Sequence, residues 1–239
     1  MERCRQLAQR SAELAARLIE TGRAVGPLMP WHHSADPYHW LIAESLLRRT
    51  TRTAAHKAFL SLIADYPDWP SLLSASETDI RQRIAWVGLG AQRSKQFKAL
   101  AHSIQVLHAG TVPRLREELL TLPGVGLYIA DAVRLYAFEQ TAFPIDPNVQ
   151  RVYRRVMRLP TPRGTRHTDP YRDPHTLSFA AYLVNNFSTQ ELQDAHRGLL
   201  HIAWTTCRPI PACEYCPLGL TCAYANDFLT PVLSATSCG

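Results

Sequence analysis

The chain has 239 residues, 46% of them apolar, with 26 Lys and Arg against 20 Asp and Glu and a formal charge of +6. That length accommodates one large or two small domains with a sizeable core. No apolar run approaches the roughly 18 residues of a membrane-spanning helix, and the basic balance suits a polyanionic partner without establishing one. The N-terminus, MERCRQLAQRSAELAARLIETGR, is charged and helix-periodic and lacks the apolar stretch of a signal peptide. The expectation is a cytoplasmic protein of bacterial or archaeal type, with Cys4 and Cys238 as incidental thiols near the chain ends.

Along the chain the pattern is helical almost throughout, with no convincing alternating strand and no internal repeat, so the predicted architecture is all-α, many short helices with short joints. Breakers fall at Gly26–Pro30, Pro67–Pro70, Gly88–Gly90, Pro113, Pro123–Gly126, Pro144–Pro147 and the polar, basic stretch Pro160–Pro174. Ser76 with Asp79 reads as a capping pair for a helix running into Trp86. Phe97, Leu100, Ala101, Ile104 and Leu107 share one helical face, with Gly110 as the stop. Leu192, Ala195, Leu199, Ile202 and Ala203 do the same further on.

Between two helix-like segments, Arg114–Leu120 and Leu127–Phe138, stands Leu122-Pro123-Gly124-Val125-Gly126. Two glycines two apart let the backbone turn sharply and expose consecutive amides, a nest for an anion at a helix start. The spacing reads as a helix-hairpin-helix, whose usual anion is a DNA backbone phosphate; an ordinary interhelical turn is the plainer reading. Asp146-Pro147 is a helix start, Asp at the N-cap and Pro at the first helical position. Capping explains Asp146 completely, yet a carboxylate at a helix N-terminus stays ionised and both roles can coexist.

Cys207, Cys213, Cys216 and Cys222 form C-x5-C-x2-C-x5-C, four thiols within sixteen residues, with Pro209, Pro211 and Pro217 between them. Soft thiolates in a tight loop suit an iron–sulfur cluster or zinc. Zinc ribbons usually show two C-x2-C knuckles, and this chain has one. Nothing marks the chain as secreted, which argues against disulfides.

The order helix-hairpin-helix, Gly/Pro-rich loop, Asp, then C-terminal Cys4 loop resembles the endonuclease III (HhH-GPD) superfamily of DNA glycosylases over roughly residues 25–225. The resemblance includes Pro30-Trp31, Asp36-Pro37-Tyr38, Glu44-Ser45-Leu46-Leu47-Arg48-Arg49-Thr50, Gly88-Leu89, Leu122–Gly126, Asp146-Pro147-Asn148-Val149 and the four cysteines. It implies a two-domain fold. Residues 1–30 would form an N-terminal helix packing with the cluster domain, 31–139 a six-helix barrel domain with the hairpin, and 140–239 a helical domain holding a [4Fe–4S] cluster on Cys207, Cys213, Cys216 and Cys222, with zinc as the alternative. Relatives usually carry one residue more between the first two cysteines. Bifunctional members have a lysine two residues after the last hairpin glycine; here Tyr128 stands there and offers no amine for a Schiff base. Adenine-excising members usually have serine at that position, a glutamine pair in place of Arg48-Arg49, and a further domain reading 8-oxoguanine, where this chain ends soon after Cys222. Arg48-Arg49 and Gly126-Leu127-Tyr128 look most like the thymine–DNA glycosylases acting on T:G and U:G mismatches. Asn148 and Pro30-Trp31 are shared with both branches.

The resemblance implies a monofunctional enzyme of base excision repair. It would act as a nucleoid-associated monomer on duplex DNA holding a mispaired base. An adenine or other damaged-base specificity is the alternative, and a DNA-binding module that lost its chemistry the reading from a different class. A glycosylase turns its base out of the duplex. The hairpin, Pro123, Gly124, Val125 and Gly126, would grip a phosphate. Arg48 and Leu89 would be wedges, Leu89 being otherwise a buried loop anchor. Arg49, Gln92, Arg93, Lys95 and Asn148 would meet DNA; Gln92, Arg93 and Lys95 are otherwise a solvated helix face. Asp146 would stabilise positive charge on the sugar and orient water. Glu44 would recognise or protonate the base, and is otherwise a surface carboxylate. Tyr128 would donate a hydroxyl to the base or stack on it, and is otherwise a core aromatic. The cluster would be structural, placing Arg208 and nearby backbone against DNA.

Overall fold

The computed structural model describes residues 2–160 and 169–226. The helices are α1 (Glu2–Val25), α2 (Pro37–Leu47), α3 (Arg52–Asp65), α4 (Trp69–Ser74), α5 (Glu77–Arg83), α6 (Gly90–His102), α7 (Arg116–Leu119), α8 (Leu127–Tyr136), α9 (Pro147–Val156), α10 (Pro174–Asn186) and α11 (Thr189–Thr205). No strand occurs among the described residues, so the all-α expectation holds. No described helix is long and apolar enough to cross a membrane. Residues 161–168 of the predicted basic loop, and Cys238, lie outside the described residues, as do the surroundings of the Cys4 side chain.

The chain divides into two units, Met29–Gln140 and Met1–Leu28 with Thr141–Gly239. In the first, α2 is the central helix: every residue from Tyr38 to Leu46 except His39 is buried. Trp40 stacks on Tyr136 of α8 at 4.3 Å between ring centroids, with His32 stacked against both. Side chains start most helices here. Asp36, Thr51, Asp68 and Ser76 each accept a hydrogen bond from a first-turn amide, satisfying donors that a helix N-terminus leaves unpaired. The Ser76–Asp79 pair caps α5 as expected, but α5 stops at Arg83 and Trp86 lies beyond it, half exposed. The first hairpin helix, α7, is also shorter than its pattern suggests.

A second departure follows α6. Phe97, Leu100, Ala101 and Ile104 are buried as their shared face requires, whereas Leu107 is 71% exposed. Residues Ser103–Leu107 form a π-turn. Its extra residue per turn advances the register and rotates Leu107 out of the stripe. Gly110 still closes the segment, with φ near +80° and its amide on the Ile104 carbonyl at 2.9 Å.

In the second unit α1 lies along α11. Leu14, Ala15, Leu18 and Ile19 meet a partner face in which Leu192, Ala195, Leu199, Ile202 and Ala203 are all buried. The two backbones touch where each helix carries a glycine. A Cβ on Gly198 would lie 2.0 Å from the Leu18 carbonyl oxygen, and one on Gly22 would lie 1.8 Å from that of Asp194. Arg23 pairs with Asp194 at 3.3 Å beside this crossing. Asp173 ties the next layer. It caps α10, accepts from Thr176 and Gln150, and pairs with Arg154 of α9 at 3.4 Å.

Gly198→Ala tests the crossing. Alanine gains about 1 kcal/mol in helix propensity, but its methyl must push two backbones apart, an overpacking cost of about 1–3 kcal/mol or more. The expected outcome is a net loss of stability and a lower Tm by thermal denaturation. A variant as stable as the parent would show that the helices separate without cost.

Candidate functional site

Asp146 opens α9. Its backbone is extended, its Oδ1 accepts from the Val149 amide at 2.8 Å, and Pro147 follows at the first helical position. The second oxygen accepts from Asn148 Nδ2 at 2.5 Å. Asn148 in turn accepts through Oδ1 from Arg151 Nη2 at 2.9 Å, and Arg151 Nε donates to the Cys207 carbonyl, also at 2.9 Å. Burial pushes the Asp146 pKa above the ordinary carboxylate range. Hydrogen bonds from Val149 and Asn148, and the Arg151 charge, pull the other way without cancelling it. A helix N-terminus alone therefore does not set this group's ionisation; desolvation is the larger effect. A charge so placed is weakly screened and acts strongly on any charge that develops beside it.

The four cysteines end this chain of contacts. Cys207 and Cys222 are buried, Cys213 and Cys216 half-buried, and none is in a disulfide. All four line one small cavity, walled also by Arg155, Pro211 and Tyr224. No three His, Cys, Asp or Glu side chains among the described residues are grouped to hold a single metal ion. Burial, then the neighbouring Cys216 and Cys207 side chains, raises the Cys213 thiol; burial likewise raises Cys222. Arg155 braces the loop. It donates to the Arg208 and Pro209 carbonyls at 2.6 and 2.9 Å, approaches Cys207 Sγ at 3.5 Å, and lies over the Tyr224 ring. Arg151 and Arg155 are not among the residues that sequence motifs single out. Their signal is spacing: Asn148, Arg151 and Arg155 follow at i, i+3 and i+7, one face of α9.

The remaining candidates belong to the other unit. Gly124 turns the hairpin with φ near +80°, a conformation that favours glycine. A Cβ there would also strike the Gln96 side chain of α6, at 2.0 Å from Nε2. Val125 is buried and anchors the turn, its amide on the Leu122 carbonyl at 3.1 Å; Gly124 and Gly126 are exposed and Pro123 half-buried. Helix α8 starts at Gly126 without a side-chain cap. Arg116 of α7 holds Asp131 of α8 with two bonds of 2.8 and 2.9 Å, pinning the two hairpin helices together. Tyr128, in the first turn of α8, is half-buried and not a core aromatic. Glu44 is 4% exposed, which excludes a surface carboxylate.

Two adjoining segments carry Arg48, Arg49 and Leu89. Arg48 is the exposed C-cap of α2, and Arg49 is exposed with φ near +52°. Leu89, immediately before α6, is 59% exposed with φ near +63° and ψ near 32°. It is not a buried anchor. A leucine held in the left-handed region costs roughly 1–2 kcal/mol, and exposing it as well gains nothing for folding. Gln92 and Lys95 are exposed on α6. Arg93 is not on the solvated face: it is 7% exposed, and its guanidinium bonds to the Gly88, Ser45 and Arg48 carbonyls and the Thr50 hydroxyl. Its burial, with four N–H groups bonded inside the protein, corrects its assignment as a DNA contact on a solvated face.

Comparison with known proteins supplies the family. The model of the HhH-GPD superfamily base excision DNA repair protein matches residues 42–169. A thymine-DNA glycosylase of Aeropyrum pernix is 34% identical over 216 residues, 90% of this chain and 95% of that protein. A thymine/uracil-DNA glycosylase of Methanothermobacter thermautotrophicus is 34% identical, covering 82% of this chain and 85% of its own length. Among solved structures, that of a thermostable thymine-DNA glycosylase superposes with a TM-score of 0.79 at 29% identity, over 92% of this chain and 98% of the other. With its hairpin, its capping aspartate and its four-cysteine loop, the chain belongs to the HhH-GPD superfamily of base excision DNA repair proteins.

Proposed function

We propose that the protein is a monofunctional DNA glycosylase that removes thymine or uracil paired with guanine, acting as a single chain on duplex DNA. The observation that carries this reading is the desolvated carboxylate of Asp146, fixed by Val149 and Asn148 at the start of α9. Cleavage of an N-glycosidic bond leaves positive charge on the sugar, and a fixed carboxylate in a poorly screened site stabilises that charge as it forms. Asp146 also orients the water that attacks the sugar. Glu44, buried on α2, and Tyr128, at the start of α8, receive the base; the Tyr128 hydroxyl donates to the anion that thymine or uracil becomes on leaving. The exposed hairpin at Gly124–Gly126 grips a phosphate, while Arg48 and Leu89 fill the space the base vacates. The two relatives named for thymine or thymine/uracil support the choice of base. The test is single-turnover base release on duplexes holding T:G, U:G, A:G, A:8-oxoguanine and hypoxanthine, followed by alkali; fastest release from A:8-oxoguanine would replace this specificity by that of the adenine branch.

We read the cysteine cavity as the seat of a [4Fe–4S] cluster and not of zinc: four soft donors face one space, and the single C-x2-C pair departs from the two knuckles usual in zinc ribbons. Bound there, the cluster would cross-link residues 207–222 and present Arg208 to DNA. Anaerobically purified protein is therefore expected to be brown, with broad violet absorption and iron and sulfide near four per chain; stoichiometric zinc without iron would overturn the assignment.

Asp146→Asn is expected to lower single-turnover release by at least about tenfold, with duplex affinity within about tenfold of the parent, because the lost charge acts on the transition state. Asparagine still caps α9. The pH profile adds a second readout. Since burial raises the Asp146 pKa, the parent's rate should fall on the acid side at a pH above the ordinary carboxylate range, and the Asn variant should lack that limb. A variant keeping more than about a tenth of the rate would remove Asp146 from the chemistry.

Position 128 gives a further expectation. The parent should leave an intact abasic strand that breaks only with alkali or heat, and borohydride should trap no covalent complex. Tyr128→Lys should place an amine by the sugar and yield a trapped complex. Efficient trapping by the parent would mean that another amine performs a lyase step.

A further inference from the structure

Arg93 lies one turn into α6 and reaches both segments that bear the wedges of the proposed function, on which this inference rests. Its Nε donates to the Gly88 carbonyl at 2.8 Å; Nη1 donates to the Ser45 carbonyl; Nη2 donates to the Arg48 carbonyl and to Thr50 Oγ1 at 3.0 Å. Two of these acceptors have a shared property. The Arg48 carbonyl immediately precedes Arg49, and the Gly88 carbonyl immediately precedes Leu89, and both following residues have positive φ. One buried guanidinium thus holds the peptide ahead of each of two strained, exposed, non-glycine residues. Capping the free carbonyls of α2 alone would account for Ser45 and Arg48, as a cation at a helix C-terminus does. It does not account for the bond to Gly88, which belongs to the turn at the entrance to α6, five residues before Arg93 itself. Strained backbone persists only where its surroundings over-determine it. The same helix carries Gln96 against the hairpin turn at Gly124, so α6 underlies both the wedges and the phosphate grip.

We propose that Arg93 is a positioning residue that locks Arg48 and Leu89 into one rigid pair, so that both enter the duplex together as the base is turned out. A planar fork with five donors can span the two loops, whereas an ammonium with three donors on one atom cannot. Arg93 touches neither base nor sugar; its effect is on extrusion alone.

The experiment compares the parent with Arg93→Lys, Leu89→Ala and the double variant. Each is measured on the base the parent releases best, placed in a mispair and, separately, in a single-stranded oligonucleotide where nothing must be unstacked. A 2-aminopurine beside the target reports extrusion by fluorescence. Arg93→Lys is expected to keep its far-UV circular dichroism and to bind duplex within about threefold of the parent, yet to release the mispaired base at least about tenfold more slowly with a weaker 2-aminopurine rise. On single strands the loss should shrink to about twofold or less. Leu89→Ala should cost much less in the Lys background than alone, since both changes disable one device. Equal slowing on the two substrates, or penalties that simply add, would overturn the proposal. If Arg93→Lys does not fold, Thr50→Val removes a single acceptor: a smaller slowing with the same substrate split supports the proposal, and equal slowing on both substrates overturns it. Should the parent release no base from any mispair, the glycosylase reading falls, while the 2-aminopurine signal still decides the role of Arg93.

Discussion

A carboxylate taken out of water and kept in one place is the constraint around which the second unit is arranged. Asp146 has its two oxygens committed to Val149 and Asn148, and burial works against its charge. Such a group stays useful only if α9 cannot shift. Asp173 holds α9 from one side through Gln150 and Arg154, and Arg151 and Arg155 hold it to the cysteine loop from the other. The Tyr171 hydroxyl accepts from the Ile145 amide at 3.1 Å, fixing the approach to the cap itself. The polar partners of Asp146 are therefore continuous with those of the loop, and a displacement of one would be felt at the other.

Arginines, Arg93 buried and Arg151 and Arg155 half-buried, recur as the means of holding backbone carbonyls. Arg93 donates to three, at Ser45, Arg48 and Gly88, while Arg151 and Arg155 each donate to two in the stretch 203–209, 52–56 positions away. Loops expose carbonyls that no helix or strand satisfies, and leaving them buried and unpaired is costly. A guanidinium meets several at once with little freedom to lose per bond. The basic excess of the composition is thus only partly a surface for a polyanion; some of it is internal scaffolding.

The all-α class, the capping aspartate, the hairpin turn and the cysteine quartet were legible because each rests on local chemistry: Asp-Pro starts a helix, two glycines turn a chain, four thiols in a short loop share a space. What stayed hidden depends on packing. Leu107 obeys the helical period, and only the π-turn at Ser103–Leu107 reverses its exposure. Arg93 sits in a polar run, Gln92-Arg93-Ser94-Lys95, where nothing in one dimension separates the two buried members, Arg93 and Ser94, from the exposed Gln92 and Lys95. Leu89 reads equally as an anchor or a wedge until its left-handed backbone and exposure are seen. Arg151 and Arg155 could have been found from their spacing with Asn148, had the face of α9 been known to point at the cysteines.

The crossing of α1 with α11 bears on how the protein is made. The Arg23–Asp194 pair closes over 171 positions of sequence, while Met29–Gln140 is one unbroken stretch of chain. On a ribosome adding about 5–20 residues per second, α1 leaves the exit tunnel roughly ten to thirty seconds before its partner helix exists. Throughout that interval its apolar stripe, Leu14, Ala15, Leu18 and Ile19, has no native surface to cover it. The contiguous unit, rich in nearby contacts, is free to form in the meantime. The second unit must therefore assemble late, because the α1 stripe closes on a helix whose partner residue lies 171 positions further along the chain.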